Sequence, residues 1–91
     1  MTYGVWPTEA PVNRDNIPPM TLESLEAYRW RRGPTGGFLR AVLANDLLLA
    51  TQKADCHNRA AFFDICEYVW MELPTAAYGS YDAVASWLKG A

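Results

Sequence analysis

Ninety-one residues, about half of them hydrophobic, suffice for one domain with a modest core and leave little room for a second. The net charge of -2 excludes a general nucleic-acid coat, which carries a strong positive excess. Met1-Thr2-Tyr3-Gly4-Val5-Trp6-Pro7 has neither the basic start nor the apolar run of a signal peptide, and no apolar stretch approaches the roughly 18 residues that span a bilayer.

The charge is unevenly spread. Residues 1–40 hold five arginines against four acids, and residues 41–91 hold three basic residues against six acids, so any polyanion contact belongs to the first half. Cys56 and Cys66 lie ten apart in one expected helix, about 15 Å at 1.5 Å per residue. A disulfide requires alpha-carbons within roughly 7 Å, so the pattern predicts reduced thiols and a cytoplasmic protein.

Residues 1–17 carry Gly4, Pro7, Pro11, Asn13 and Asn16 without periodicity and read as an irregular N-terminal arm, with Val5, Trp6, Val12 and Ile17 able to pin it to the body. Residues 18–91 form the single helical domain. Pro18-Pro19 blocks regular structure. Thr21 then caps a first helix over 21–32, with Glu23 and Glu26 near its start, Arg29, Arg31 and Arg32 at its end, a left-handed Gly33 and a terminating Pro34. Thr35 or Gly36 opens a second helix over 35–53. Phe38, Leu39, Val42, Leu43, Leu47 and Ala50 recur along it at three- and four-residue steps, and Leu48 and Leu49 widen the stripe, as in a central, well-covered helix.

Asp55 or Asn58 caps a third helix over 56–73, with Phe62, Ile65, Cys66, Val69, Trp70 and Leu73 as its apolar face and Pro74 as its stop. Ser80 caps a fourth over 80–89, with Val84, Trp87 and Leu88 facing inward and Gly90 at the end. No segment alternates as a strand does. The expected fold is all-α, a compact four-helix domain.

The run from Arg29 to Phe38 turns one helix into the next and gathers basic side chains beside open amides. Cations at a helix C-terminus are stabilised by about 0.3–1 kcal/mol each, which accounts for the placement without any ligand. Guanidinium forks and helix-start amides also match phosphate or carboxylate, making Thr35, Gly36 and Gly37 a weak anion-binding candidate. The glycine pair lacks phosphate-loop spacing. Asn45-Asp46, both poor helix formers amid leucines, read as a solvated strip, a cap, or a polar element bonding the turn near Gly33-Pro34 or Gly79-Ser80.

Cys56 and His57 point about 100° apart on a helix, and two cysteines with one histidine fall short of a closed zinc site. Asp64 and Glu67 share an exposed face, and no nucleophile elbow is present. Catalytic residues, metal and cofactor are therefore all expected to be absent. In Tyr28/Trp30 and Tyr68/Trp70 the partners point to different sides of a helix, so one of each pair should meet solvent and suit a protein contact.

The segment Pro34-Thr35-Gly36-Gly37-Phe38-Leu39-Arg40-Ala41-Val42-Leu43-Ala44-Asn45-Asp46-Leu47 resembles a short family encoded in tailed bacteriophages and prophages. Ala54-Asp55, Asn58, Pro74, Gly79-Ser80 and Trp87 extend the likeness, which spans roughly residues 18–88. That resemblance implies expression from an accessory gene inside an infected or lysogenic bacterium, and it brings no settled activity. Tyr28-Arg29-Trp30-Arg31-Arg32 departs from the family pattern in being more basic and aromatic.

The expected function is a small non-enzymatic accessory protein that binds a host or phage protein, of the kind that inhibits a host defence effector such as a CRISPR nuclease. Its anchors would be Arg29, Trp30, Arg31, Arg32, Arg40 and Trp70. Two other readings stay open: a nucleic-acid-binding accessory protein using the Arg29–Arg40 corner, and a homodimeric or larger structural module.

Overall fold

The computed structural model describes residues 14–90, and every regular element among them is helical. Six α-helices follow a 3-10 turn at Arg14–Asn16: α1 Pro19–Arg31, α2 Gly37–Leu43, α3 Leu47–Lys53, α4 Cys56–Ala60, α5 Phe62–Glu72 and α6 Tyr81–Leu88, with a second 3-10 turn at Thr75–Ala77 before α6. Two of the four expected helices are thus each divided in two.

The N-terminal arm falls mostly outside the described residues, including Val5, Trp6 and Val12. Its last part is docked. Ile17 is buried in the core, Asn16 Nδ2 donates to Asp64 at 2.5 Å, and Arg14 lies over the Tyr68 ring at 5.3 Å.

Helix α1 starts two residues earlier than expected, because proline at the first helical position sacrifices no hydrogen bond and arrives with a helical φ. Thr21 is therefore no cap. It sits inside the helix, buried, with its hydroxyl donating to Asn58 Oδ1 at 2.6 Å and tying α1 to α4. At the other end the left-handed residue is Arg32 (φ 53°) instead of Gly33. The side chain of Arg32 explains the exchange: its guanidinium lies 3.7 Å from the Trp87 ring centroid and donates to the Trp87 carbonyl at 3.1 Å, contacts that offset the roughly 1–2 kcal/mol cost of a left-handed non-glycine residue.

The second expected helix breaks at Ala44-Asn45-Asp46. Asn45 takes φ 62°, its N–H donates to the Val42 carbonyl, and the Asp46 N–H donates back to Ala41. This paired 5→2 and 6→1 pattern is the Schellman closure, and asparagine is the residue after glycine best suited to its left-handed position. The polar pair is thus a helix stop, and the later turn is fastened beside it, its backbone bond going to Leu43 and not to the pair. Asp46 Oδ2 accepts from the Tyr81 hydroxyl at 2.6 Å, and the Gly79 N–H donates to the Leu43 carbonyl at 2.8 Å. Asn45→Val should cost about 1–2 kcal/mol in urea denaturation, whereas Asn45→Gly should be neutral or mildly stabilising.

The break resets the direction of the chain, so the leucine run does not continue the buried stripe. In α3 only Ala50 is buried, while Leu47 and Leu48 are 60% and 81% exposed. This corrects the expectation of a central, well-covered helix.

The third expected helix bends at Ala61 (φ -104°, ψ 11°). Asp55 is the cap of the first piece, its carboxylate accepting from the Asn58 N–H at 2.7 Å. Along α5 the core face is Ile65, Tyr68, Val69 and then Leu73, with Phe62 edge-on to Phe38 at 5.9 Å. Trp70 is not on that face, contrary to the sequence expectation, and Cys66 is only half-buried. Ser80 caps α6 as expected, its Oγ accepting from the Ala83 N–H, but Leu88 is 37% exposed where an inward position was expected.

The core closes around Leu25, Tyr28, Leu43, Ile65 and Tyr68, all essentially inaccessible. Tyr28 organises one end. Its hydroxyl donates to the Ala77 carbonyl at 2.6 Å, and its own carbonyl accepts from Trp87 Nε1 at 2.8 Å. Burial, opposed by the nearby Arg32, pushes its pKa up to about 12. Because the folded value lies above the unfolded one of about 10, the contribution of the neutral phenol is complete below pH ~10 and is lost as pH rises toward 12.

Tyr28→Phe should remove that alkaline sensitivity and cost about 1–2 kcal/mol at neutral pH. Tyr68→Phe is the matched control. The buried Tyr68 hydroxyl has no hydrogen-bond partner among the described residues, so its loss should be neutral or stabilise by about 1 kcal/mol, opposite in sign to Tyr28→Phe.

Candidate partner surface

The helical period puts the two aromatic rings of each pair on opposite sides of their helix. Residues two apart on a helix differ by about 200°, so once Tyr28 and Tyr68 enter the core, Trp30 and Trp70 must face outward. The two tyrosines are fully buried, while Trp30 is 68% and Trp70 65% exposed.

The arginines of the first helix end do not form one pole. Arg29 donates to Glu72 at 3.1 Å, its guanidinium also stacking on Trp30 at 4.2 Å, and Glu72 additionally holds Arg14 at 3.2 Å. Arg32 is committed to Trp87 on α6. Arg40 lies over Tyr81 at 5.6 Å, and hydrogen bonding to Asp46 raises the pKa of that phenol. Arg31 is exposed and has no salt bridge among the described residues. The chain therefore spends three of these four guanidinium groups on its own rings.

The glycine corner is equally occupied by local contacts. Thr35 donates to the neighbouring Gly36 carbonyl, Gly36 opens α2 without a side-chain cap, and the Lys53 chain lies so close to Gly37 that an added Cβ would stand 3.3 Å from its Cδ. Gly37 is thereby brought beside a cation of α3.

Trp70 lies in a setting that sequence reasoning missed. Phe63, Cys66, Glu67 and Trp70 line a shallow groove along the outward side of α5. A second groove, formed by Val42, Asn45, Cys66, Val69, Trp70, Tyr78 and Gly79, shares Cys66 and Trp70 with it. The two are thus one continuous surface, running from α5 across the end of α2 to the loop at 78–79. Burial pushes the Cys66 thiol pKa up, which keeps it protonated and poorly nucleophilic. The signal is the stripe Phe63, Glu67 and Trp70 at i, i+4 and i+7, of which the sequence reading singles out Trp70 alone.

Elsewhere, Cys56 and His57 are both exposed, and no three His, Cys, Asp or Glu side chains converge as metal ligands among the described residues. None of the described helices is long and apolar enough to cross a membrane. No family model, curated protein or solved structure matches the chain.

Proposed function

We propose that this chain is a small accessory protein of a phage or prophage that acts by holding another protein of the infected bacterium, in the manner of a stoichiometric inhibitor of a host defence effector, and that it performs no chemistry of its own. One observation carries the reading: Trp70, two-thirds exposed, stands where two apolar grooves meet. Tryptophan left in water on a small domain forgoes a large burial gain, and tryptophan is the residue most enriched among the anchors of protein interfaces. Trp30, exposed on α1 with Arg29 against its face and Arg31 beside it, is the second anchor.

A nucleic-acid grip at the Arg29–Arg40 corner draws less support, since Arg29 is neutralised by Glu72 and Arg32 is turned onto Trp87. Affinity capture from bacterial lysate, with and without nuclease treatment, tests the choice. A protein partner should survive nuclease and moderate salt, in roughly equimolar amount. Capture that disappears with nuclease and falls steeply with salt would replace this reading with the nucleic-acid one.

A further inference from the structure

Four of the described aromatic rings carry an arginine of the same chain. Arg14 lies over Tyr68, Arg29 over Trp30, Arg32 over Trp87 and Arg40 over Tyr81, at 3.7–5.6 Å from the ring centroids. Of the three described tryptophans, Trp30 and Trp87 each carry a guanidinium of the same chain. Among the described residues no such cation lies over Trp70, although it is exposed and open to one. One turn away on the same face is Glu67, which among the described residues is the only charged side chain lining either groove and has no salt bridge.

Glu67 and Trp70 are three residues apart on one helix face, and a carboxylate that close to an exposed indole offers a cation two attractions at once: the ring quadrupole and an ion pair. Both strengthen as a partner's apolar residues exclude water around them. Aromatic and apolar neighbours also favour guanidinium over ammonium, since it stacks flat and is more weakly hydrated.

We infer that the Glu67–Trp70 groove receives an arginine of the partner protein, its guanidinium stacked on Trp70 and paired with Glu67, within a segment whose flanking residues are apolar. This rests on the partner-holding reading and specifies the chemistry of the same site.

The test uses the full chain, isotopically labelled, titrated with a short peptide in which one arginine is flanked by leucines. The comparison is the same peptide with citrulline, which keeps the shape and loses the charge. The Trp70 indole N–H and the Glu67 amide should shift on titration, with the citrulline peptide about tenfold weaker. Glu67→Gln should bring the arginine peptide down toward the citrulline one and leave the citrulline peptide unchanged, while Trp70→Leu should weaken both.

Equal binding of the two peptides would overturn the inference while leaving a partner-binding apolar groove intact. Absence of any shift at these residues would overturn it too. Shifts of the same resonances with protein concentration alone, accompanied by a doubled mass, would assign the groove to a second copy of the chain instead. Loss of lysate capture with an unaltered peptide result would count against the proposed function and not against this site.

Discussion

Trp87→Ala is expected to lower the unfolding free energy by about 3–5 kcal/mol, a larger loss than either Tyr28→Phe or Asn45→Val should cause. Trp87 is 8% exposed, rests against Tyr28 with ring centroids 6.3 Å apart, supplies its indole N–H to the Tyr28 carbonyl, and gives Arg32 both a ring face and a carbonyl. Truncation removes the ring that joins α6 to the end of α1. It leaves the Tyr28 carbonyl without that donor and takes away the stacking partner of the left-handed Arg32. Against a total of about 0.05–0.15 kcal/mol per residue, such a loss takes much of the stability of a chain this short.

Since Trp87→Ala can unfold the protein outright, Trp87→Phe separates the terms. It keeps most of the ring and loses the indole hydrogen bond, for an expected cost of about 1–2 kcal/mol in urea titration. A Trp87→Ala protein with an unchanged denaturation midpoint would show that α6 is not integral to the fold.

Trp70→Ala should do the opposite. Its ring is mostly exposed, so stability should move by less than about 0.5 kcal/mol, while affinity for the captured protein should fall about 30-fold or more, the scale of a central interface anchor losing about 2 kcal/mol. Trp30→Ala should weaken capture less, because the Trp30 ring already bears Arg29 and that guanidinium keeps Glu72 after truncation. Loss of capture accompanied by a lowered melting temperature would mean that Trp70 serves packing. Full retention with a folded Trp70→Ala protein would remove it from the surface altogether.

What could be read from the amino acids alone was mostly local. Ser80 caps the helix it was expected to cap, and Asp55, one of two candidates with Asn58, caps the other, because the bond each makes reaches only three residues ahead. The division of the rings followed from the helical period and one fact, that tyrosine went inward in both pairs.

The breaks were hidden for a physical reason. The stripe Phe38, Leu39, Val42, Leu43, Leu47 and Ala50 keeps its spacing across Asn45, so periodicity reports one helix while a left-handed residue ends it. Arg32 taking the left-handed place of Gly33 was equally unreadable. Its compensation comes from Trp87, fifty-five positions away in the chain. The same distance effect dispersed the basic corner: Arg29 meets Glu72 forty-three positions on, and nothing near Arg29 announces it. Helix ends drew the arginines together in sequence, and tertiary partners drew their side chains apart.

The most direct measurement is site-specific photocrosslinking in bacterial cells made to express the protein, with p-benzoylphenylalanine replacing Trp70 in one protein and Gln52, an exposed residue of α3, in another. A partner-holding protein whose contact is the Trp70 surface should give one discrete protein adduct from position 70 and none of the same mass from position 52. Identical adducts from both positions, or no adduct from position 70 in a folded and expressed protein, would contradict that account.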